Sequence, residues 1–115
     1  MKASWLSILA AAAAFMVIST GQALTDEELT GEALAKKSGC LECHSVDEKV
    51  IGPAFRDIAT KYRNVDRARS ALIKKVEMGG KGNWTEVTGG VPMPAHSPRL
   101  SEAEIQRLVD WVMSQ

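Results

Sequence analysis

"GCLECHSVDEKVIGPAF", Gly39 to Phe55, decides how the rest of the chain is read. It holds the only two cysteines, Cys40 and Cys43, and His44 follows the second at once. A disulfide, a zinc site, a redox dithiol and a covalently attached haem all begin with two nearby cysteines. A Cys40–Cys43 disulfide would close a very small loop, and small loops contribute least by the chain-entropy argument. It would also leave His44 unexplained. A thioredoxin-like dithiol belongs to a βαβ context, and no strand pattern is present. Structural zinc needs four ligands, here Cys40, Cys43, His44 and His96, and adjacent Cys43 and His44 cannot easily both reach one tetrahedral centre. Covalent haem uses every part of the motif. The two thiols add to the two vinyl groups on neighbouring pyrroles, and the next residue points under the iron. C-x-x-C-H is the attachment signature of c-type haem. One haem c bound through Cys40 and Cys43, with His44 on the iron, is therefore expected.

The second face of the iron has to be reached from elsewhere. Gly79 to Leu100 shows no regular periodicity, and a loop that long in a compact domain is usually functional or disordered. It carries Trp84, His96 and Met93, the last between Pro92 and Pro94. The prolines fix their own φ and push the preceding residues to extended conformations, which holds Met93 out of any helix with its thioether free. Met93 is the expected sixth ligand and His96 the rival. Met78 and Met113 fall on predicted helices and read as core or surface residues. A Met/His pair raises the reduction potential relative to nitrogenous ligation and fills both axial positions. Such an iron changes oxidation state and binds no substrate, which makes the protein an electron carrier and not an enzyme.

Elsewhere helical periodicity dominates, and the predicted fold class is all-α, about four helices around one haem. Ser101 and Glu104 fit a capping box, and Ile105, Leu108, Val109 and Val112 form one apolar stripe, widened by Trp111. Residues 53–63 predict a second helix with Pro53 in its first turn and Phe55, Ile58, Ala59 and Tyr62 inward. Asp66 to Met78 predicts a third, with Ala68, Leu72, Ile73 and Val76 inward and a Gly79-Gly80 stop. Asp26 to Lys37 predicts a first helix, opened by a capping box over Thr25 to Glu28.

The chain has 115 residues, so one domain is the default. Lys2 is the only charge before Asp26, Trp5 to Ile18 is apolar apart from Ser7, and Gly21-Gln22-Ala23 ends the run. A basic start, a short apolar core and a small-x-Ala end read as a secretory signal cleaved after about Ala23. The apolar core is shorter than the roughly 18 residues of a spanning helix, although an uncleaved anchor is the alternative. Residues 24–115 would then form a single monohaem domain in the periplasm, without stable membrane insertion. Loss of Lys2 leaves 13 basic against 14 acidic side chains, so no nucleic-acid partner is expected. So short a chain is marginal without help, and an apolar cofactor supplies the missing core.

"GCLECH", "IGPAF", "GGKGNW", "VPMP" and "LSEAEIQRLVDWVMSQ" together resemble the small bacterial class I cytochromes c of the c-551 (c8-type) group, over nearly all of residues 24–115. The resemblance implies a periplasmic one-electron carrier, expected as a monomer. Its donor would be a membrane quinol-oxidising complex, and its acceptor a nitrite reductase, peroxidase or oxidase. The alternatives are a haem subunit of a larger oxidoreductase, or a haem enzyme or sensor with a labile sixth ligand. The resemblance also implies that the Pro53 carbonyl accepts from His44 Nδ1–H and that Trp84 donates its indole N–H to a haem propionate, with Arg56 or Lys81 as further propionate partners. An asparagine common in the group near the methionine sulfur is missing, and Ala95-His96 stands in its place.

Overall fold

In the computed structural model, which describes residues 14–18, 21 and 29–115, the elements are α1 (Gly31–Lys37), a 3₁₀ turn (Cys40–Glu42), α2 (Phe55–Tyr62), α3 (Ala68–Met78), α4 (Thr85–Thr88) and α5 (Glu102–Met113). Among the described residues there is no strand, only the isolated bridges His44–Lys49 and Gly80–Met93. The all-α expectation stands. The proposed cleavage site and the Thr25 to Glu28 capping box lie outside the described residues, and no helix among those described is long and apolar enough to cross a membrane.

The last helix forms as its sequence dictates. Ser101 Oγ accepts from the Glu104 N–H and the Glu104 carboxylate accepts from the Ser101 N–H. Two of the orphan donors of the first turn are thereby satisfied reciprocally. Ile105, Leu108 and Val109 are buried, and the helix packs against α1, α2 and α3. On α1, Leu34 and Ala35 close a core with Leu108, flanked by Leu29, Cys40, Leu100 and Trp111. Gly31 makes this crossing possible: a Cβ there would overlap the Cβ and Cγ of Trp111.

Three helix starts differ from the sequence reading. The first helix begins at Gly31, because Thr30 is extended and caps it by accepting from the Ala33 N–H; the expected start at Asp26 lies outside the described residues. The second begins at Phe55. Ala54 is extended, so Pro53 lies ahead of the helix rather than in its first turn. The Phe55 and Arg56 N–H groups, orphans of that first turn, donate to the carbonyls of Ser45 and Val46 and lash α2 to the cysteine loop. The third begins at Ala68 rather than Asp66, because Arg67 adopts a left-handed conformation, φ 58°. The stretch from Gly79 to Leu100 is also not wholly irregular. It contains the single turn α4 and is stitched to the end of α3 by Gly80 N–H to Met93 O and Met93 N–H to Gly80 O, 2.8 and 3.1 Å.

Candidate functional site

Gly39, in the left-handed region at φ 79°, turns the chain out of α1 and into the 3₁₀ turn. That turn presents Cys40, Cys43 and His44 in succession, with the His44 N–H donating to the Cys40 carbonyl at 2.9 Å. The loop then folds back. The Cys43 carbonyl accepts from the N–H groups of both Ile51 and Gly52. Gly52 lies flat against the imidazole, and a Cβ there would come within 2.5 Å of His44 Cε1. No other residue fits so close an approach.

His44 Nδ1–H donates to the Pro53 carbonyl at 2.7 Å. This leaves Nε2 as the nitrogen with a free lone pair, and such a partner is how ligating histidines have tautomer and orientation fixed. The ring stacks on Phe55, centroids 5.0 Å apart at 19°. Phe55 in turn meets Trp111 edge-on at 5.2 Å. Burial pushes the His44 pKa down, opposed by the Pro53 hydrogen bond, a shift toward the neutral form that coordination requires. Burial pushes the Cys40 thiol up.

These groups open onto a cavity of about 420 Å³. Cys40, Cys43 and His44 lie on its wall, as do Leu72 and Val76 of α3 and Met93 of the long loop. The structure thus brings together all six residues singled out by sequence, since Pro53 and Trp84 line the same cavity. Trp84 stands at the start of α4 with the Lys61 ammonium 4.2 Å above its ring. Of the two cations considered for a propionate, Lys81 lines the cavity, whereas Arg56 is paired with Asp47 at 2.8 Å on the surface.

Three contributors escaped the sequence reading. Lys61 reaches Trp84 from α2, across 23 residues of chain. Lys75 donates to the carbonyls of Gly79 and Lys81 and so holds the loop entering the Met93 bridge. Gly79 lies against that bridge: a Cβ would overlap the Met93 carbonyl and approach the Ala95 nitrogen to 2.7 Å. The Gly79-Gly80 pair read as a plain helix stop was the one signal available for the last.

An apolar cavity faced by two thiols, a neutral oriented imidazole and a thioether fits a haem and its iron. The comparisons with known proteins agree. The cytochrome c family model matches residues 28–115. Cytochrome c-552 of Nitrosomonas europaea is 39% identical over 114 residues, covering 99% of this chain and 98% of that one. Cytochrome c-551 of Allochromatium vinosum is 44% identical over 96 residues, 82% of this chain and 95% of that one. Among solved structures, wild-type Nitrosomonas europaea cytochrome c552 superposes with a TM-score of 0.62 at 42% identity, covering 70% of this chain and 94% of that one. The class 1 cytochrome MtoD of Sideroxydans lithotrophicus ES-1 gives 0.59 at 30% identity, covering 73% and 90%.

Proposed function

The chain belongs to the cytochrome c family, and on that premise we propose that it works in the periplasm with a His44/Met93-ligated iron. There it would pass single electrons from a membrane quinol-oxidising complex to a soluble nitrite reductase, peroxidase or oxidase. That it is a monohaem electron carrier with one covalently bound haem c, and not an enzyme, follows from the family. When bound, the haem supplies an iron that cycles between two oxidation states. The chain's residues do the rest. Cys40 and Cys43 would tether the group by thioether bonds, Pro53 fixes the His44 tautomer, and Met93 would supply the iron's second protein ligand. His44 and Met93 would together hold the iron and leave no place on it for oxygen or peroxide, and the apolar wall of Leu72, Val76 and Val109 would keep water away.

The observation that carries this reading is His44, neutral and aimed by Pro53, in one cavity with Met93 and both cysteines. Trp84, Lys75 and Lys81 line the same cavity and supply the polar groups suited to the propionates. Seven basic residues against two acidic ones lie between Lys61 and Lys81, so an acidic partner surface would be steered there at low salt. Cleavage after about Ala23 would release residues 24–115 as a monomer. The test is the far-red sulfur-to-iron absorption band of the ferric protein. It should be present in the wild type and absent in Met93→Ala, and a wild type without it would sink the thioether assignment. Cell fractionation with a mass spectrum of the periplasmic form reads the cleavage site.

A further inference from the structure

His96 is the buried polar residue that electron transfer through a His44/Met93 iron does not use. It is 4% exposed, lines the same cavity as His44 and Met93, and its Nδ1 has no hydrogen-bond partner among the described residues. Buried polar atoms without partners are rare and destabilising enough to need a reason. Packing alone would be served better by an apolar side chain. The residue is also held where it is. Its N–H donates to Val76 O at 3.1 Å and its carbonyl accepts from Leu100 at 2.8 Å, while Ser97 N–H donates to Glu77 O. His96 and Ser97 are thereby fastened to α3, and Met93 to Gly80 just beyond its end. Burial, then the charge of Arg99, holds the imidazole below its usual pKa, against the opposing pull of the nearby Val76 and Pro94 carbonyls.

We propose that His96 is a latent axial ligand, which takes the sixth position on the haem iron whenever the Met93 thioether leaves it. The proposal rests on Met93 being the resident ligand. In the exchange an iron–sulfur bond breaks and an iron–nitrogen bond forms. A neutral imidazole replaces a neutral thioether, so neither proton nor electron moves. The consequence is a haem that stays closed to small molecules when its methionine is lost or oxidised. The two ligand sets also differ in potential, because replacing thioether by imidazole lowers it.

The holoprotein is compared as wild type, Met93→Ala, His96→Ala and the double variant, by electron paramagnetic resonance, electronic absorption and voltammetry. Met93→Ala should lose the far-red sulfur band yet remain largely low-spin, with a lowered potential and little uptake of carbon monoxide in the ferrous state. The double variant should be largely high-spin and bind carbon monoxide and added imidazole readily. His96→Ala alone should keep the wild-type spectrum and bind added imidazole more tightly than wild type, since an internal competitor has gone. That last comparison leaves Met93 in place and serves if the Met93 variants fail to fold. A high-spin Met93→Ala that takes up added imidazole as the double variant does overturns the proposal, as does equal imidazole affinity of His96→Ala and wild type. A wild type that lacks the sulfur band, or keeps it in Met93→Ala, instead overturns the ligand assignment beneath it.

Discussion

The two sides of the cavity are built on different terms. On one side α1, α2 and α5 bury Leu34, Ala59 and Ile105 away from the cavity, and Ala35, Phe55, Leu108 and Val109 are buried there as well while also facing it. Protein covers protein there. On the other side α3 buries only Ala68, while its apolar Leu72 and Val76 line the cavity, and the Met93 loop hangs from its end by backbone hydrogen bonds. The first wall carries its own core, and the second is finished by the cofactor.

The contrast breaks most visibly if the cofactor is withheld. In a Cys40→Ala/Cys43→Ala double variant the haem is no longer sewn in, and amide hydrogen exchange should collapse first in α3 and residues 79–100. The α1–α5 contact should outlast them, since protection follows buried apolar contact. Equal loss on both sides, or earlier loss in α1, would erase the distinction. Truncation at a single site sharpens it. Leu34→Ala empties a fully buried position and should cost about 2–5 kcal/mol by urea denaturation, with or without haem. Leu72→Ala should be costly only in the holoprotein.

Smaller effects follow at the joints. Gly52→Ala drives a methyl into the His44 ring and should cost about 1–3 kcal/mol, the range for overpacking, together with a shift in reduction potential. An unchanged potential would show that the loop yields elsewhere. Smallest is the exposed Arg69–Asp110 pair, 2.7 and 3.0 Å, which joins α3 to α5. The Arg69 hydrogen bond holds the Asp110 carboxyl below its ordinary pKa. Its contribution is therefore present above the unfolded carboxyl's value, about 3.9, and is lost as pH falls through the folded one. Thermal midpoints of wild type and Asp110→Asn should differ slightly near neutrality, converge in acid, and draw together in high salt.

How far the sequence disclosed this divides along the same line. The self-sufficient side was legible because its signals are local: the Ser101 capping box, the stripe from Ile105 to Val112, and the spacing of Cys40, Cys43 and His44 each state their geometry within a few residues. The helix starts at Gly31, Phe55 and Ala68 were not, because each is set by a neighbour. Thr30 caps, Pro53 gives its carbonyl to His44, and Arg67 turns left-handed. Across the cavity, the flanking prolines pointed to Met93, which does line the wall. The one-turn α4, the Lys75 clamp and the burial of His96 depend on contacts between distant segments, which no periodicity encodes.

The central claim is one iron porphyrin joined to Cys40 and Cys43 by thioether bonds. Its most direct test is the mass of the purified protein after unfolding and acid–acetone extraction. The expected result is polypeptide plus one haem with no thiol left to alkylate. A colourless chain at the mass of the bare polypeptide, with both cysteines alkylated, would contradict the account.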